Sequence, residues 1–274
     1  MKLCKLLAIA LWAAQTPLAV AQTVDLASIE LDCLTEPHSL VKLGSAVTGV
    51  LDSVAVDRGD VVYAGQLVAR LKSGVEEATV ALARARAEND VVVRSRRARL
   101  EFESDKEERT ETLFKKKIVS GEQMKVATTE RRLAELDVSE AEKNQSLAKL
   151  ELRQAVAVLD QRKIVSPVDG VVTERVLSPG EYVFEQSYVF TVAEIDSLHV
   201  EVFAPIEMFG AVSLGMKAEV RPEQPVGGTH IAKVTIVDHI IDPASGTFGV
   251  RLELPNPDRA LPAGLRCKII FLAE

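Results

Sequence analysis

The residues able to do chemistry are few and scattered. His38, His199, His230 and His239 share no ligand-like spacing, and Met124, Met208 and Met216 are spread along the chain. A relay for soft metal ions needs Met or His in a cluster, so these side chains read as ordinary packing residues. No Gly-x-Ser-x-Gly, His-Glu-x-x-His or phosphate-loop motif occurs. The carboxylate pairs Glu76-Glu77 and Glu107-Glu108 lie in helix-forming sequence, where they read as solvated faces. What remains is thiol chemistry. Cys33 and Cys267 stand near opposite ends of the chain that follows the leader. In an oxidising compartment they can pair, and the alternative is two isolated buried thiols. Catalysis, a cofactor and a bound metal are therefore not expected.

Composition narrows the class further. The 274 residues carry 33 basic and 40 acidic side chains, a net charge of −7. A nucleic-acid binder needs a basic surface to neutralise phosphates, so that class is excluded. With 47% hydrophobic residues the chain can bury a core, and with only 4% aromatics it is poorly suited to aromatic-lined pockets. The first 21 residues form a secretory leader: lysines in Met1–Lys5, the apolar run Leu6–Ala14, and the small-residue site Ala19-Val20-Ala21. The run is too short for a bilayer core of about 30 Å. The mature chain is expected to begin at Gln22. No Cys follows the cleavage site, so no lipoprotein anchor is expected, and the protein is expected to be soluble outside the cytoplasm.

The elements that position these residues follow from an internal repeat. Residues 45–71 and 166–192 align without a gap at an offset of 121, pairing Ser45 with Ser166, Gly49 with Gly170, Gly59 with Gly180, Val62 with Val183 and Val68 with Val189. Each half alternates apolar and polar residues from a Gly-Val pair and then turns at Arg58-Gly59-Asp60 or Pro179-Gly180-Glu181. Gly49, Gly59, Gly170 and Gly180 are expected as the turn glycines. Neither half can bury its own face, so the two must form one β-sandwich with quasi-twofold symmetry.

Between the halves, Val75 to Ser166 contains no Pro and only Gly121. Ala, Leu, Glu, Arg and Lys dominate, which predicts helix. A heptad stripe runs through Ala127, Ala134, Val138, Ala141, Ala148, Leu152, Ala155 and Leu159. Break signals cluster at Lys117–Gly121, and Ser120 with Gln123 makes a capping-box pattern. The spacing predicts an antiparallel hairpin of two arms, each about 65 Å long at 1.5 Å per residue. Nineteen basic and eighteen acidic residues between 73 and 163 leave this segment near neutral, as two solvated faces require. After Val192 the β-rich runs 199–203, 217–221, 231–237, 248–254 and 267–272 alternate with turn clusters and predict a small barrel. The fold class is α+β: an elongated molecule with a long helical hairpin inserted in a β-sandwich, plus a small β-barrel.

This order of elements, with the stretches GVLDSVAVDRGDVVYAGQLVARL, KIVSPVDGVVTERVLSPGEYV and LPNPDRALPAGLRCKIIF, resembles the periplasmic adaptor subunits of Gram-negative tripartite efflux systems. These are the membrane fusion proteins of the HlyD and resistance-nodulation-division (RND) type. The resemblance implies lipoyl-like halves at 44–74 and 164–193 around a hairpin at 75–163. It also implies a barrel at 194–274 that takes its N-terminal strand from 22–43. It implies a non-enzymatic periplasmic adaptor, without cofactor, that joins an inner-membrane pump to a TolC-type outer-membrane channel and packs in a homo-oligomeric ring. The family pattern at the hairpin tip is an Arg, a Leu four residues on and a Ser seven beyond; Arg109, Leu113 and Ser120 match it. The resemblance implies that these three dock on the channel. One departure is that the sequence ends at Glu274, just past the last expected barrel strand, so a reduced pump-facing surface is expected. An adaptor of an ABC-type exporter is the alternative. A biotinyl or lipoyl carrier is a weaker one, because the helical insertion occupies the place of the modified lysine.

Overall fold

The computed structural model describes residues 29–272, so the expected leader and the expected first mature residue, Gln22, lie outside the described residues. Two units form. One is Pro37–Asp196; the other joins the described residues up to Glu36 with those from Ser197 onward. Strand β1 (Leu31–Gly44) crosses from the second unit into the first, so the segment expected as a barrel strand serves both.

In the first unit the repeat becomes two interlocked halves. The first half contributes β2 (Gly49–Val54), β3 (Val61–Val62) and β4 (Leu67–Leu71). After the helices come β5 (Lys163–Val165), β6 (Gly170–Arg175), β7 (Tyr182–Val183) and the start of β8 (Tyr188–Pro205). Each half lends its short strand to the other, because β3 pairs with β6 and β7 with β2. The hydrogen bonds repeat at the same offset. Gly59 N–H donates to Val172 O (2.8 Å) and Gly180 N–H to Leu51 O (2.7 Å); Val172 N–H donates to Asp60 O (2.9 Å) and Leu51 N–H to Glu181 O (2.8 Å). Ser45 and Ser166 also match, each hydroxyl donating to the carbonyl two residues on. The core is made of repeat-paired residues: Val62 with Val183, Val68 with Val189 and Leu51 with Val172, all buried.

The four glycines divide into two kinds. Gly59 and Gly180 turn the chain with φ of 95° and 94°. Gly49 and Gly170 are not turn residues: they open β2 and β6. A Cβ on Gly170 would collide with the Ala193 carbonyl oxygen and lie 2.8 Å from Val192 Cγ1; one on Gly49 would lie 2.8 Å from Arg162 Nη1. Gly170 is glycine because the backbone of β8 passes too close for a side chain, whereas the atoms nearest Gly49 are side-chain atoms of Arg162 and Leu71.

The helices are α1 (Gly74–Glu88), α2 (Val91–Lys115) and α3 (Gly121–Asp160). The first arm is thus two helices rather than one. The break lies at Asn89-Asp90, where Asn89 is extended and its side-chain oxygen accepts the Val91 N–H at 3.2 Å. Asn and Asp offer the backbone a local partner in place of the helical one, which ends α1. On α3 the seam is made of small residues, with Ala127, Ala134, Val138 and Ala141 buried, as are Val80, Ala83, Ala87 and Val93 of the first arm. Ion pairs flank it: Arg97–Glu142 at 2.6 Å, Arg96–Asp137 at 3.3 Å and Arg131–Glu107 at 2.7 Å. The hairpin root is tied to the sandwich by Arg162, which donates to Thr48 O at 3.0 Å and to Glu76 Oε1 at 2.7 Å.

The second unit orders its strands as β1, β12 (Arg266–Phe271), β9 (Lys217–Pro222), β10 (His230–Asp242), β11 (Thr247–Pro255) and the end of β8. Alternate residues point inward, so Val200, Val202, Val220, Val250, Leu252 and Ile269 build the core. A single turn of 3-10 helix, Ile206–Met208, follows β8.

Candidate docking site at the hairpin tip

The turn between α2 and α3 is closed by two caps with different logic. At the end of α2, Ile118 N–H donates to Leu113 O (2.9 Å) and Lys117 N–H to Phe114 O (2.8 Å). This is a Schellman arrangement, whose following residue must be left-handed. That residue is Lys117, at φ 59°. Glycine takes this conformation freely, whereas a side chain there costs about 1 kcal/mol. At the start of α3, Ser120 Oγ accepts the Gln123 N–H (3.2 Å) and Gln123 Oε1 accepts the Ser120 N–H (2.9 Å), a complete capping box.

These caps fix where the three family-pattern residues stand. Arg109 and Leu113 are four apart on α2 and so share one face. Arg109 is exposed, and its guanidinium has no hydrogen bond or ion pair among the described residues. Leu113 is 38% exposed, with its carbonyl held in the cap. Ser120 stands across the turn with its oxygen engaged as the N-cap. The structure thus places Arg109 and Leu113 together as a free charge and an apolar knob, and gives Ser120 a capping duty.

The sequence reading missed the company these residues keep. Phe114 is 43% and Ile118 66% exposed, so the tip is apolar beyond Leu113. Lys115, Lys116 and Lys117 follow one another here. Three lysines before a helix stop were visible in the sequence, but they also suit the negative end of the helix dipole, which hid any second role. Below the turn lies a groove of about 430 Å³ lined by Lys106, Thr110, Val119, Glu122, Gln123, Val126 and Ala127. At its lower edge Lys106 meets Glu130 at 2.5 Å, and that hydrogen bond holds its pKa above the ordinary lysine value.

The two cysteines form a separate feature in the second unit. Cys33 of β1 and Cys267 of β12 are register partners, and their sulfurs are bonded. Thr35 supports the strand pair: its N–H donates to Leu265 O (2.9 Å) and its hydroxyl oxygen accepts the Leu265 N–H (3.0 Å).

The division into units agrees with the known families. A model described as the CzcB-like barrel-sandwich hybrid domain matches residues 39–194. The chain belongs to this CzcB-like family. A second model, the CusB-like β-barrel domain, matches residues 198–274. The resemblance to membrane fusion proteins read from the sequence therefore holds at the level of the family, and so does the α+β fold class.

Among relatives, the cobalt-zinc-cadmium resistance protein CzcB of Cupriavidus metallidurans is 25% identical over 223 residues, covering 80% of this chain. The chain spans only 40% of the length of that relative. A UPF0194 membrane protein of Yersinia pestis is 28% identical over 231 residues, covering 69% of this chain and 70% of its own. The crystal structure of MacA from Actinobacillus actinomycetemcomitans superposes with a TM-score of 0.71 at 20% identity, over 89% of this chain and 78% of MacA. That match establishes a shared fold. No helix among the described residues is long and apolar enough to cross a membrane.

Proposed function

We propose that the chain is a periplasmic adaptor of an efflux system. It links an inner-membrane pump of the RND type to a TolC-type outer-membrane channel, and several copies assemble in a ring. The observation that carries this reading is a helical hairpin inserted between the halves of a CzcB-like sandwich, with an exposed apolar and basic tip. The hairpin root is clamped by Arg162, and the seam is closed by alanines and ion pairs, so the arm is built to hold its tip at a distance. Arg109 offers a charge-assisted donor to carbonyls on a partner helix end, and Leu113 offers the apolar knob. The CusB-like barrel supports an RND pump as the inner-membrane partner. Energy comes from the pump, so the adaptor itself needs no catalytic residue or cofactor. A disulfide between Cys33 and Cys267 fits an oxidising periplasm.

For the cargo, divalent transition cations rank first, because two relatives are named for cobalt-zinc-cadmium resistance and cation efflux. The test is export by a deletion strain complemented with the wild-type chain or with Leu113→Asp. Restored zinc, cobalt or cadmium tolerance with the wild type alone supports the adaptor and its cargo class. Equal tolerance with both refutes docking through the tip.

A further inference from the structure

Docking through Arg109 and Leu113 makes no use of the three lysines of the tip, beyond their place at the negative end of the helix dipole. Between the flanking Glu111 and Glu122 the chain holds Lys115, Lys116 and Lys117 and no acidic residue, although the whole protein carries −7. Lys115 is held by Glu111 at 2.8 Å. The ammonium groups of Lys116 and Lys117 are exposed and have no hydrogen bond or ion pair among the described residues. Lys117 also occupies the left-handed position of the cap, φ 59°, where glycine is the unstrained choice. A strained residue that the local fold does not need is a marker of a second duty. The exposed Phe114 and Ile118 stand in the same turn, and the groove of about 430 Å³ opens just below it, with Val119, Val126 and Ala127 as apolar lining, Thr110 and Gln123 as polar lining, and Lys106 and Glu122 as one charge of each sign.

We propose that Lys116 and Lys117 form a basic collar that selects a channel whose helix ends present acidic side chains around an apolar knob. The collar supplies charge complementarity and the groove receives the knob. A shaped groove with polar walls favours a protein surface over a flat lipid one, to which a charged ridge alone would suffice. This inference rests on the docking reading above and adds to it which partner chemistry the tip takes. Rim charges act mainly on encounter and on discrimination between partners, so the effect must fade with salt.

The experiment measures binding of the full mature chain to a detergent-solubilised TolC-type channel from the same organism, and separately to phosphatidylglycerol vesicles. The variants are Lys117→Gly, Lys117→Arg, the double Lys116→Gln/Lys117→Gln, and Leu113→Asp, each checked for unchanged helix content. The double variant is expected to bind the channel roughly tenfold more weakly at low salt and to converge with the unsubstituted chain near 1 M salt. Lys117→Gly is expected to raise the thermal midpoint while weakening binding, and Lys117→Arg to retain binding. That opposition of signs is what a purely local capping role does not give. If Lys117→Gly and the double variant bind the channel normally while Leu113→Asp does not, the collar is refuted and tip docking stands. If Leu113→Asp also binds normally, the docking reading fails and the collar falls with it. If the lysine variants lose only vesicle binding, the collar serves an anionic membrane and the proposal is wrong.

Discussion

Breaking the link between Cys33 and Cys267 is expected to loosen the barrel and leave the hairpin alone. The two cysteines are 234 residues apart. A cross-link of that span removes about 5.5 kcal/mol of chain entropy from a fully unfolded state. The units need not unfold together, however. If Pro37–Asp196 stays folded, only about 75 residues of the closed loop become flexible, and the same relation gives about 4.5 kcal/mol. Residual structure in the unfolded barrel lowers either figure, so a loss of about 4 kcal/mol is expected. The assay is urea unfolding followed by hydrogen exchange of peptides from β9 to β12, with and without reductant, and with Cys33→Ala/Cys267→Ala. Peptides from α3 serve as the control. A barrel shift below about 1 kcal/mol, or an equal shift in α3, would refute the reasoning. Intact mass of the non-reduced protein must also show the link, and two free thiols would remove its basis.

Three further outcomes follow from the packing. Gly170→Ala should cost roughly 1–3 kcal/mol in thermal or urea unfolding, because the new methyl meets the Ala193 carbonyl, which is backbone and cannot rotate away. Ala134→Leu should cost a similar amount, about 1–3 kcal/mol, by forcing the close-packed seam apart; an unchanged midpoint would mean the helices are not packed there. The Glu76 carboxyl is held below its ordinary value of 4.5, first by its own backbone N–H and then by Arg162. Its stabilising contribution is therefore complete above the unfolded value and is lost as pH falls through the lower folded one. Thermal midpoints of the wild type should drop more steeply below pH 4.5 than those of Arg162→Gln, and parallel curves would contradict the clamp.

The repeat was legible because its physics is local and stated twice. Val62 and Val183, or Gly59 and Gly180, occupy equivalent places in each half, so one pattern reinforces the other. The seam alanines and the Ser120 cap were legible for the same reason, since period and cap chemistry are written in neighbouring residues. The strand-opening duty of Gly170 was not, because the backbone that excludes a Cβ is that of Ala193, which lies 23 residues away. The break at Asn89-Asp90 was missed because composition favoured helix throughout and two polar residues outweighed it locally. At the tip, Arg109 and Leu113 stood out only through a family pattern, and Lys117 looked like any helix-ending lysine until its backbone placed it in the left-handed region.

The central claim is that the chain bridges a pump and a channel, with its hairpin tip on the channel. The most direct measurement is cross-linked affinity purification of the tagged protein from intact cells, with Leu113→Asp in parallel and recovered partners identified by mass spectrometry. The account predicts that an inner-membrane RND pump and an outer-membrane channel are recovered with the wild type, and that Leu113→Asp keeps the pump and loses the channel. Recovery of neither with the wild type, or retention of the channel by Leu113→Asp, would contradict it.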